Sequence, residues 1–400
     1  MRVAVVYHEP DPHAGGYFTF QRTVVDTLQG LGGRTPHEFR CYAAAPAAPR
    51  DAGVKWLGPE VEPGLRRYAQ LAAKGARMAT GRQPGWAPSR LDSALEDEGI
   101  DLVWFISNHV EACDLPFIVT VWDLAHRELP FFPEVSAGGV WAHRERTHSE
   151  FLPRAVRVIV PNAAGAEQVE RYYAVPRERQ LLLAHPTPRF AREAAAAQQK
   201  ANGAGDRQGI GSPFLLYPAQ LWPHKNHVTA MRALAELRER GQDFHLVCTG
   251  TEPAMEPAVG QAAYLRRTAD ELGVSDLVHF LGFVELEELV SLYQRAHALL
   301  YLSFFGPENL PPLEAFALRC PVINSDIPGA REQLGDAALF VDPTDAAGVA
   351  DAVQSLADDQ LRSRCVAAGR TRSEQLTPEA YVDGVIEFLD DFQATRRCWA

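Results

Sequence analysis

Short apolar runs alternate with helical stretches over almost the whole chain, and this alternation restricts the fold more than any other feature. In the first half the runs are 2–8, 39–44, 102–107, 117–123, 157–161 and 180–185. In the second half they are 214–219, 245–250, 278–282, 299–303, 322–325 and 339–342. The second-half runs are nearly all apolar, the pattern of parallel strands covered on both faces. Between them, 226–240 sets Val228, Met231, Leu234 and Leu237 on one stripe with Arg and Glu opposite, an amphipathic helix. Strand–helix alternation of this kind builds doubly wound α/β sheets.

The pattern breaks at 192–211, REAAAAQQKANGAGDRQGIG, which is small, polar and Gly-rich. Read as a linker, it separates a first α/β domain, 1–191, from a second, 212–376. A last helix, 377–400, starts with Thr377 as N-cap and Pro378 in the first turn. Its apolar face, Val382, Val385, Ile386, Leu389 and Phe392, is expected to pack back toward the first domain. Two doubly wound domains leave a ligand cleft beyond the carboxyl ends of their strands.

A net charge of −12 argues against nucleic acid as the main partner, because a duplex binder needs a basic face. The six cysteines are scattered and give neither a zinc site nor a disulfide framework. MRVAVVYH reads as a first strand, not a leader, and no apolar stretch approaches ~20 residues. A cytoplasmic protein is expected. One basic stretch, 65–82, carries Arg66, Arg67, Lys74, Arg77 and Arg82 with Leu65, Tyr68 and Leu71 on another face. It fits peripheral contact with an anionic membrane surface, or a solvated helix face.

The segment richest in chemistry is 303–332, SFFGPENLPPLEAFALRCPVINSDIPGARE. A strand ends, a short loop follows, and a helix starts near Asn309. Pro311 and Pro312 suit its first turn and donate no N–H, leaving Asn309, Leu310 and Leu313 as donors at an anion-favouring helix start. Glu314, one turn in, can accept from two neighbouring hydroxyls such as those of a ribose. Lys225 follows strand 214–219 and precedes a helix that Asn226 can cap, a combination of cation and amides that suits a diphosphate. Gly15 and Gly16, between the first strand and its helix, let a backbone approach a ligand; a plain turn reads equally well. His109, Asp123 and His126 follow two neighbouring strands, facing the cleft. Asp123 or His126 can orient a hydroxyl or take its proton, against the alternative of a capping Asp and a surface His.

Segment 303–332 resembles the signature of the retaining GT-B glycosyltransferases of family 4, the glycosyltransferases group 1 family. The likeness continues through FLGFVELEELVSLYQRAHALLYLS and YPAQLWPHKNHVTAMRAL, and more weakly through GGYFTFQRTVVDTL and PFIVTVWDLAHRELPFFPEVS. It implies two Rossmann-like domains facing each other across a cleft, and transfer of a sugar from a nucleotide-sugar donor with retention. The implied donor contacts are Gly15, Gly16, Gln220, Lys225, Gly282, Phe283, Glu308, Asn309, Leu310 and Glu314; His109 reaches the sugar. Two positions depart from the family. Gly306 stands where it has its first Glu, so Glu308 and the amides of Asn309 and Leu310 are expected to take that role. Gln220 stands where it has an Arg, five positions before Lys225, and carries no charge.

The resemblance further implies front-face displacement, no metal and no cofactor beyond the co-substrate. The sequence holds no Asp-x-Asp cluster and no carboxylate pair suited to glycoside hydrolysis. GDP-mannose is the first expectation for the donor, with a glycan, lipid-linked or small-molecule acceptor and a mannosyl- or rhamnosyltransferase-like role in bacterial polysaccharide biosynthesis. A nucleotide-sugar epimerase or hydrolase, and a non-catalytic nucleotide-sugar-binding paralogue, remain as alternatives.

Overall fold

The computed structural model describes residues 1–8, 15–44, 53–57, 90–95, 98–108, 110–197, 210, 213–252 and 260–399. His109 and the basic stretch 65–82 lie outside the described residues.

Each half of the chain forms one parallel sheet. The first contains β1 (Arg2–His8), β2 (Glu38–Ala44), β3 (Val54–Trp56), β4 (Leu102–Phe105), β5 (Phe117–Thr120), β6 (Arg157–Val160) and β7 (Gln180–Leu182). Their order is β3-β2-β1-β4-β5-β6-β7. The second contains β8 (Phe214–Pro218), β9 (His245–Thr249), β10 (Val278–Gly282), β11 (Ala298–Tyr301), β12 (Val322–Ser325) and β13 (Ala338–Val341), in the order β10-β9-β8-β11-β12-β13. Helices fill both faces, so inner strands such as β4, β5, β11 and β12 are buried along their whole length. The edge strand β3 is the one the sequence pattern does not show.

In both sheets the strand order reverses beside the first strand, between β1 and β4 and between β8 and β11. At such a reversal the following loops run to opposite faces and leave a crevice at the carboxyl ends. Gly15 and Gly16 follow β1, residues 219–225 follow β8, and residues 302–309 follow β11. Chain order therefore brings three of the sequence segments singled out above to the two crevices.

The division between domains differs in one respect from the expected linker. Residues 192–196 continue the helix Arg189–Ala196, whose Ala191 and Ala194 are buried in the second domain's core. Of the alanine run 194–197 only Ala194 packs into that core; the other three are exposed. The last helix, Pro378–Arg396, is capped by Thr377, whose hydroxyl accepts from the Ala380 N–H at 3.0 Å. It buries Tyr381, Val382, Val385, Phe388 and Leu389 in one cluster with Val3, Val5, Phe20 and Trp104 of the first domain. No helix among the described residues is long and apolar enough to cross a membrane.

Candidate functional site

A cleft of about 670 Å³ lies between the sheets. Its first-domain wall is one face of the helix Gly16–Gln29, with Gly15, Gly16, Thr19, Arg22 and Asp26 recurring at helical spacing. Its second-domain wall gathers the carboxyl ends of three strands: Ala219 and Gln220 after β8, Thr249, Gly250 and Thr251 at β9, and Phe283 to Leu286 after β10. Glu314 closes the floor.

Gly250 is required where it stands. Its φ is +106°, and a Cβ there would sit 2.6 Å from the Ala219 carbonyl oxygen. Its N–H donates to the Gly282 carbonyl at 2.6 Å, which ties the β9 and β10 ends into one rim. Glu314 is 6% exposed and accepts from the Tyr293 hydroxyl at 2.7 Å. Burial pushes its carboxyl up to about 7, against the opposing pull of that hydrogen bond.

Lys225 stands behind this lining. Its Nζ donates to the Tyr301 hydroxyl at 2.7 Å, and that hydroxyl donates to Asn309 Oδ1 at 3.1 Å. The loops after β8 and β11 are further joined by Phe304 N–H to the His224 carbonyl and by Asn226 Nδ2 to the Leu302 carbonyl. Asn226 adopts a left-handed φ of 57° and caps the next helix through Thr229 N–H.

The 303–309 loop also binds the opposite domain. Asn162 Nδ2 donates to the Pro307 carbonyl at 2.8 Å. The Ala163 N–H, in the first turn of the helix Ala163–Tyr173, donates to Glu332 at 2.9 Å. His224 donates its backbone N–H to Glu134 Oε1 at 2.9 Å, its ring also meets that carboxylate, and it stacks on Phe305. Burial first, then the charge of Lys225, lowers His224 to about 4 despite Glu134. A neutral imidazole donating to a carboxylate follows, so His224 adds no cation to make up for Gln220.

Several expected site residues lie elsewhere. Glu308 does not reach the cleft lining: it is buried, and its carboxylate accepts the His185 backbone N–H. Desolvation holds that carboxyl well above its usual range. The Asn309 N–H, expected to be free, donates to Gln333 Oε1 at 3.0 Å, and Gln333 returns a bond to the Asn309 carbonyl. The Leu310 side chain joins the first domain's core cluster. His126 is fully buried against the Tyr173 hydroxyl at 3.1 Å and stacks on His148. Burial, then Arg144, lowers it to about 4, and it takes no place in the cleft. Asp123 lines a smaller cavity of about 110 Å³ with Phe305, Gly306 and Pro307. Burial would raise its carboxyl, but Arg144 at 2.6 Å and the Ala125 N–H draw it down to about 2, which makes it a poor proton acceptor. Gly15, Gly16, Gln220, Phe283 and Glu314 are thus gathered in one cleft; Gly282 sits at its rim and Lys225 behind it.

Among solved structures, the whole chain superposes on WaaG, a glycosyltransferase involved in lipopolysaccharide biosynthesis, with a TM-score of 0.69. The match covers 97% of this chain and 99% of that one at 16% identity. A sucrose-phosphate synthase from Thermosynechococcus elongatus gives 0.72 at 18% identity, over 98% and 99% of the two chains. The fold is GT-B. Residues 206–372, most of the second GT-B domain, match the family model Glycosyl transferases group 1. The O-antigen chain mannosyltransferase RfbU of Salmonella typhimurium is 34% identical over 143 residues, 36% of this chain and 38% of that protein. The O-antigen chain mannosyltransferase B of Escherichia coli is 37% identical over 103 residues, 26% and 27% of the two. The chain therefore matches well under half the length of either relative.

The charged residues of the GT-B cleft that were not singled out in sequence are Arg22, Asp26, Arg189, Glu193 and Glu285. Arg22 and Asp26 had a legible signal, since they follow Gly16 at helical spacing. Glu285 had one too, since it closely follows the expected contacts Gly282 and Phe283; Arg189 and Glu193 had none, and chain folding alone brings them to the lining.

Proposed function

We propose that the chain moves a hexose from a nucleotide-diphosphate sugar, GDP-mannose in the first instance, to a hydroxyl of a glycan or lipid-linked acceptor, with retention. The observation that carries this reading is the single cleft in which Gly15, Gly16, Gln220, Phe283 and Glu314 meet from two sheets. Glu314 would hold the ribose diol and the Phe283 end the base. The amides of Gly15 and Gly16, with Lys225 behind, would take the diphosphate.

Front-face transfer suits this lining. The acceptor proton can pass to the departing phosphate oxygen, so a dedicated basic side chain is not needed. The enzyme supplies orientation and charge stabilisation instead. A metal-independent, cytoplasmic enzyme of bacterial surface-polysaccharide synthesis, in peripheral contact with the membrane, is the setting we favour. A second reading, binding without turnover, is favoured by Gln220: its Oε1 accepts from Trp222 Nε1 at 3.0 Å, and it brings no charge to the leaving group.

A thermal-shift panel of GDP, UDP, dTDP and ADP on wild type and Lys225→Ala tests the donor site. One nucleotide at ~100 times its dissociation constant should add about 2.7 kcal/mol, reduced in the variant. Absence of any shift at millimolar concentration refutes the donor site. Binding without glycosyl transfer to any acceptor extract would leave the second reading.

A further inference from the structure

We propose that Glu285 selects guanine in the nucleotide donor by accepting the base's N1–H and N2–H with its carboxylate. The proposal rests on the donor-site reading above and deepens it.

The β10 end of the cleft is apolar, lined by Phe283, Val284, Leu286 and Leu289. Phe283 is 41% exposed and Leu286 54%, both at the lining of the cavity. A flat ring laid there would cover them and stack on Phe283. Among the described residues, Glu285 is the charged group lining this end. The other acids of the cleft are engaged: Asp26 with Arg22 at 3.1 Å, Glu193 with Arg189 at 2.7 Å, Glu314 with Tyr293 at 2.7 Å. Glu285 holds the N-cap position of the helix Leu286–Arg295 but makes no capping hydrogen bond with its side chain. A shorter Asp, Asn, Ser or Thr is the residue that caps, so capping does not account for the choice.

A carboxylate only accepts. Guanine alone among the common bases shows two adjacent donors on its Watson–Crick edge, N1–H and N2–H. Adenine shows one donor beside an acceptor. Uracil and thymine show one donor between two carbonyl oxygens, which the carboxylate would repel. The same group therefore attracts one base and rejects the rest.

Calorimetric titration of the full chain with GDP, IDP, ADP and UDP tests this, on wild type and Glu285→Gln. IDP keeps N1–H and lacks the N2 amino group. GDP should bind tightest and IDP several-fold more weakly. Glu285→Gln should lose roughly ten- to a hundredfold for GDP, bringing it near IDP, while UDP, relieved of the carboxylate's repulsion, should bind more tightly and ADP no more weakly than to wild type. If UDP or ADP binds tightest, or Glu285→Gln leaves the GDP-to-UDP ratio unchanged, the guanine assignment falls while the donor site stands. If no nucleotide binds, the donor-site reading falls with it.

Discussion

Replacing Glu314 by Gln should flatten the pH dependence of stability by an amount the structure sets. Burial lifts this carboxyl from 4.5 to about 7 in the folded chain. The folded state therefore holds a proton that the unfolded state has already released through most of that interval. Stability from this group is present below about pH 4.5 and is lost as pH rises toward about 7; above that, both states are ionised and nothing more changes. The loss is about 1.4 kcal/mol per pH unit, about 3 kcal/mol over the whole interval. Gln keeps the shape and can still accept from Tyr293, yet does not titrate. Urea unfolding of both proteins from about pH 4.5 to about pH 8 isolates the term, because every other group titrates alike in the two. Wild type should lose about 3 kcal/mol relative to Glu314→Gln between the ends. Parallel curves would refute the reasoning. A ribose diol donating to Glu314 would also favour the carboxylate, so nucleotide binding near pH 7 should release on the order of half a proton. Calorimetry in two buffers of different ionisation enthalpy measures that release. Zero release with the stability difference intact would mean a buried acid that does not touch the ribose.

Three further outcomes follow from the cleft and its ties. Gly250→Ala forces a Cβ to 2.6 Å from the Ala219 carbonyl oxygen, whereas Gly282→Ala, with φ +68° and nothing within 4 Å, bears backbone strain alone. Denaturant midpoints should show ~1–2 kcal/mol for Gly282→Ala and clearly more for Gly250→Ala, and equal losses would contradict the clash. Glu134→Gln weakens the bridge to His224 and should cost about 1.5–3 kcal/mol, with an enlarged radius of gyration in X-ray scattering; an unchanged radius would show that the other ties suffice. His126→Phe should alter melting temperature while leaving turnover within severalfold, and loss of turnover in a folded variant would restore His126 as a proton carrier.

The strands were legible because a buried parallel strand needs little beyond apolar residues, and β1, β10 and β12 match the apolar runs end for end. Side-chain destinations were less legible, and the reason lies in their partners. Glu308 looks like a ligand-binding carboxylate beside a glycine turn until His185, 123 positions away, supplies a backbone donor and the domain interface buries it. His126 looks like a cleft residue until Tyr173, 47 positions on, and His148 enclose it. Glu285 looks like one of several acids starting a helix until folding places it, with Phe283, at a cavity between the two sheets. Glu314 stands on the other side of this contrast. What fixes it is local, a position one turn into a helix behind β11. Local pattern reports which residues a scaffold must hold at strand and helix ends. Whether a polar side chain there meets a ligand or another part of the chain depends on surfaces that only the closed pair of domains creates.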